Sequence, residues 1–186
     1  MSFSEADNKM NLNYKHLGIY LVAGITSGLL CHFSGIIDID LMFFSTNCTP
    51  AIILGIMIFL AGRYISGVTP RNSWLNPLIL ILASGVGWIL ALKFGSEYWR
   101  MVWSLIGSGI IGGFFVGIGL VMAWRLKRIW MVIMLTTLAG GLGGQAYALW
   151  NFSDIEELLL LTIWQGILLL GIGIAIQIDS RKSSIF

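Results

Sequence analysis

Two neighbouring side chains bring reactive chemistry into an otherwise apolar run: Cys31 and His32. His32 lies four residues beyond Gly28 and eight beyond Gly24, a spacing that puts all three on one helix face. It also stands about one and a half turns before Asp38, where the apolar run ends. An imidazole facing other helices would hydrogen-bond across them, hold a metal or carry a proton; a plain helix–helix hydrogen bond is the simplest of these. Cys48 adds a second thiol. Cys31, His32 and Cys48 would make at most a weak metal site, with three ligands and no ligand-spacing motif, or a disulfide in an oxidising compartment. Nothing else in the sequence implies a cofactor, and no nucleotide-binding fingerprint or nucleic-acid partner is indicated.

Two amides, Gln145 and Gln165, also fall inside apolar runs, with Thr136 and Thr137 nearby. Amides there usually tie helices together; with His32 they are the candidates for a polar pathway. No catalytic residue is assigned. Intramembrane hydrolysis wants a nucleophile beside a positioned base, and Ser34, two residues after His32, points around a different part of the helix. No Asp, Glu, Lys or Arg lies deep in any apolar run, whereas ion-coupled transport usually puts ionisable groups there.

The glycines form a stronger pattern than the polar residues. Within Ser104–Val121, Gly109, Gly113 and Gly117 recur every four residues and share one face. Gly24 and Gly28 repeat the pattern in the first apolar run, Gly87 with Ala83 and Ala91 in the third, and Gly140 and Gly144 in the fifth. Lipid supplies no hydrophobic drive between helices, so small faces that let backbones approach are an economical way to hold a bundle together. These eight glycines are the predicted helix-packing residues.

The elements that position these residues follow from the length of the runs. About 20 apolar residues cross the hydrocarbon core. Six segments meet or approach that length: Leu17–Ile37, Leu41–Gly62, Leu75–Phe94, Met101–Ala123, Ile129–Trp150 and Leu158–Ile178. The second has two candidate starts. Thr49-Pro50 reads as a cap followed by proline in the first turn; a start at Leu41 makes Pro50 a kink. With the later start the run is short and Arg63 must snorkel to the interface.

Composition agrees: the chain is 57% hydrophobic and 11% charged, where soluble domains run near a quarter charged. The polar start, residues 1–16, lacks the basic region and cleavage site of a signal peptide. Residues 17–178 form the membrane domain and residues 179–186 a short tail. Lys9, Lys15, Arg63, Arg71, Arg125, Lys127, Arg128, Arg181 and Lys182 fall on one side, and only Lys93 and Arg100 on the other. The richer side is expected to be cytoplasmic, with both termini there, in a plasma or inner membrane. Tyr98, Trp99, Trp124, Trp130 and Trp150 flank the runs as an interfacial belt would.

A repeat underlies the odd-numbered runs. Each carries a small-residue motif, and ten residues after Gly28, Gly87 and Gly144 come Asp38, Glu97 and Asp154. The expected fold is therefore an all-α integral membrane protein, a six-transmembrane-helix bundle arranged as three tandem hairpins. The expected function is a non-catalytic membrane subunit or scaffold, with the bilayer, other membrane helices or its own copies as partners. The alternative is a small permease or channel for a neutral or weakly polar solute; an intramembrane enzyme or metal handler stands behind both.

Overall fold

The computed structural model describes residues 12–36, 49–65, 68–71, 74–97, 102–148 and 156–180. Those residues are essentially all helical: α1 (Tyr14–Ile36), α2 (Thr49–Leu60, continued by a π-turn Ala61–Ile65), α3 (Asn76–Glu97), α4 (Val102–Ala123), α5 (Ile129–Ala148) and α6 (Glu156–Ser180). Five of them, all except α2, are long and apolar enough to cross a membrane. Among the described residues α2 begins at Thr49; the alternative start at Leu41 lies outside them.

The helices are neighbours in chain order, and α6 returns to pack on α1, which closes the ring. Its interior is filled. Tyr20, Leu54, Ile58, Leu80, Val116, Leu120, Val132, Leu168, Leu169 and Ile172 form one continuous buried cluster.

Backbone meets backbone at three seams. Between α1 and α6, a methyl on Gly24 would stand 2.7 Å from Gly166 Cα, and one on Gly28 2.7 Å from the Leu161 carbonyl carbon. Between α4 and α5, a methyl on Gly109 would stand 2.9 Å from the Gly140 carbonyl carbon, and one on Gly144 the same distance from that of Leu105. Between α2 and α3, Gly55 lies against Ile81, with 2.7 Å left to its Cα. Only a residue without Cβ permits such approaches. The first two seams also share a register: Gly109 meets Gly140 as Gln165 meets Gly24, and Leu105 meets Gly144 as Leu161 meets Gly28.

One end of the ring is tied by polar contacts. Asn13, just before α1, donates its backbone N–H to Gln177 Oε1 of α6 at 2.8 Å, and Gln177 Nε2 donates to the Asn13 carbonyl at 3.2 Å. The chain before α3 pairs with the chain after α4 through a short antiparallel bridge at Pro70 and Trp124. Arg71 N–H donates to the Ala123 carbonyl at 2.9 Å, and Arg125 N–H to that of Thr69 at 3.1 Å. Trp124 is only 1% exposed, so it does not join the interfacial belt expected of it. Its indole lies against Gly62, where a methyl would overlap the ring, and Gly62 belongs to the π-turn, a local widening of the kind that accommodates such an insertion. Trp130, by contrast, is 77% exposed. Tyr98, Trp99 and Trp150 lie outside the described residues.

Candidate functional site

The α1–α6 seam carries Cys31 and Gln165. Gly24 and Gly28 seat α1 against Gln165 and Thr162, and the next turn of the same face presents Cys31, which is buried. Gln165 has no exposed surface. Its Nε2 donates to Cys31 Sγ at 3.3 Å, and the Pro50 carbonyl of α2 lies 3.6 Å from the same sulfur. The thiol thus sits where α1, α2 and α6 meet, and a buried amide that would otherwise lack a partner is satisfied.

His32 stands beside this seam and not within it. It is half-buried, and its ring packs edge-on against Phe33 with centroids 5.8 Å apart. Gln145 is on the outside of the bundle, continuing the exposed stripe of α5 through Trp130, Met134, Leu138 and Leu142. The Thr136 and Thr137 hydroxyls donate to carbonyls of their own helix, Thr136 to Val132 and Thr137 to Ile133. The structure therefore joins Gln165 to Cys31 and leaves His32 and Gln145 apart from that pair. Cys48 lies outside the described residues. Among the described residues no three of His, Cys, Asp and Glu stand close enough to hold a metal ion.

The predicted packing glycines face backbone or side chains of neighbouring helices. Gly113 and Gly117 of α4 lie against Thr136, Thr137 and Ile133 of α5, and Gly140 lies against Gly109 and Gly113. Gly87 differs in direction, facing Gly112 and Phe115 of α4 instead of α2.

Two features had no sequence signal of their own. Trp164 of α6 reaches across the ring between Gly112 of α4 and Gly143 of α5, and its ring lies 5.9 Å from that of Trp88 of α3. Both indole nitrogens are buried without a hydrogen-bond partner among the described residues, as are the Ser84 and Ser104 hydroxyls. The small faces of α4 and α5 are the legible half of this arrangement; which large side chain fills them is settled only by the path of α6. The second feature is Asp179, 5% exposed. Its carboxylate accepts the backbone N–H groups of Lys127, at 2.8 Å, and of Arg128, capping α5 from another helix.

The arrangement is that of a multi-pass helical membrane protein with a filled interior. No protein-family model, no curated protein and no solved structure matches the chain.

Proposed function

We propose that the chain crosses the membrane six times as three tandem hairpins, with both termini cytoplasmic, and works as a non-catalytic membrane subunit or scaffold. The repeat is supported by the shared register of the α4–α5 and α6–α1 seams, and by a third close approach at α2–α3. Those are the three junctions that a threefold arrangement of hairpins makes equivalent. Orientation is supported by the tied end, where the starts of α1, α3 and α5 meet the ends of α4 and α6 and where Lys15, Arg63, Arg71, Arg125, Lys127 and Arg128 are exposed. As a sixth span, Thr49–Tyr64 would reach about 24 Å at 1.5 Å per residue; exposed Arg63 and Tyr64 then meet the interface by snorkelling.

The filled core carries the functional reading. Leu168, Leu169, Ile172 and their neighbours form one continuous buried cluster, and the small-residue faces are spent on seams within the chain. A bundle so closed has its outer surface left for function. The test is purification in a mild detergent, comparing the native chain with Leu138→Trp on the exposed stripe of α5. The expected result is a stoichiometric partner, or a second copy, lost in the variant while thermal unfolding is unchanged. A chain that stays monomeric and alone, and that passes a solute when reconstituted by itself, would overturn the reading.

One observation favours a small permease as a second reading. Buried polar groups are nearly always hydrogen-bonded, yet Trp88, Trp164, Ser84 and Ser104 offer buried donors to nothing in the described residues. A passing neutral solute with acceptor groups would use them. Trp164→Phe separates the readings: it deletes a donor that a scaffold does not need, and under the permease reading it slows flux in proteoliposomes.

A further inference from the structure

We propose that the surface formed by Arg71, Arg125, Lys127 and Arg128 binds the phosphate of an anionic phospholipid headgroup. Extended chain alternates its side chains between two faces. After α4 the buried residues are Trp124 and Leu126, and the exposed ones are Arg125 and Lys127, with Arg128 following. Across the bridge, Arg71 pairs through its backbone with Ala123, as Arg125 does with Thr69. Arg71 and Arg125 therefore occupy diagonal positions on one face of the bridge, the face opposite Trp124. Diagonal neighbours in such a pair lie roughly 7–8 Å apart, within reach of long side chains, so two guanidinium groups can close on a single phosphate.

The backbone under these cations is anchored on both sides. Arg71 Nε donates to the Trp124 carbonyl at 3.1 Å, which holds one guanidinium beside the next loop. Asp179 holds the amides of Lys127 and Arg128. Its carboxylate is spent on backbone N–H groups, and the cationic heads of Arg125, Lys127 and Arg128 are left outward. Trp74, two residues before α3, and Trp130, in the first turn of α5, are 88% and 77% exposed at the same end, as interfacial anchors are. That places the cluster at the depth of lipid phosphates. The leaflet rests on the cytoplasmic orientation proposed above; the headgroup preference does not.

The test uses the purified full-length chain in mixed micelles, with bound lipid counted by native mass spectrometry. The probes are phosphatidylglycerol, phosphatidylcholine and inorganic phosphate. The native chain is expected to retain phosphatidylglycerol over phosphatidylcholine, and Arg125→Gln with Arg128→Gln to lose that preference by roughly fivefold per charge. Lys15→Gln with Arg63→Gln, at the same end but off the bridge, is expected to keep it. Equal retention of the two lipids, an equal loss in both double variants, or displacement of phosphatidylglycerol by millimolar inorganic phosphate would each overturn the proposal. Orientation is read separately, by labelling Lys127→Cys, made together with Cys48→Ser, in intact cells with a membrane-impermeant maleimide. Labelling from outside would move the site to the other leaflet and refute the orientation alone.

Discussion

Replacing single glycines by alanine sets two effects of opposite sign against each other. In a helix interior alanine is favoured over glycine by about 1 kcal/mol. At Gly85 an added methyl meets nothing within 4 Å, so Gly85→Ala should be neutral or stabilising by up to that amount. At Gly113 the same methyl would stand 3.1 Å from both the Thr136 carbonyl carbon and Thr137 Cα, and closer still to the Thr136 carbonyl oxygen. These are backbone atoms, which cannot rotate aside, so α4 and α5 must separate by several tenths of an ångström. Overpacking of this kind costs roughly 1–3 kcal/mol, and opening a seam forfeits a quarter to a half of each affected contact. The steric term wins over most of that range, leaving Gly113→Ala destabilised by up to about 2 kcal/mol net. Gly113→Leu adds three further carbons to the same gap and should prevent the seam from closing. The assay is thermal or detergent unfolding of the purified protein, with Gly85→Ala as the control. If the two alanine variants unfold together, or Gly113→Leu assembles normally, α4 and α5 do not pack through this face and the seam argument fails.

Three further substitutions are read by the same assay. Trp124→Ala empties the space against Gly62 and should cost about 3–5 kcal/mol; an intact transition would show that the indole is not a structural wedge. Asp179→Ala strips the acceptor from two amides and should cost about 0.5–2 kcal/mol as a lost cap, with faster hydrogen exchange at Lys127 and Arg128; unchanged exchange would refute the capping role. Gln165→Leu leaves the Cys31 thiol without its amide donor and should cost about 0.5–1.5 kcal/mol. In a Cys48→Ser background, buried Cys31 should resist maleimide in the folded protein and react once it is unfolded; rapid labelling of the folded variant would place the Cys31 thiol in an accessible path instead.

The class of the protein was legible in its residues because lipid imposes a length rule on apolar runs and forces backbone groups to bond within their own segment. The helices follow from that, as do the small-residue faces at Gly24, Gly28, Gly109, Gly113, Gly140 and Gly144, since four-residue spacing fixes a shared face whatever lies opposite. Spacing says nothing of the neighbour, however. That Gly24 meets Gln165, and that Gly87 turns toward α4, was decided by which helices the closed ring sets side by side. The same holds for the polar residues. His32 shares its spacing with Gly24 and Gly28, yet one residue earlier Cys31 takes the buried position, because α2 and α6 converge there through Pro50 and Gln165. Trp124 read as an interfacial anchor because tryptophan beside a basic loop usually is one; tertiary structure turned it inward, since Gly62 leaves room for an indole on the neighbouring π-turn. Asp179 is the extreme case: an unremarkable acid near the chain end becomes the cap of α5 only because α6 finishes beside its first residues. Local spacing determines which face a residue occupies, and only the closed ring determines what that face touches.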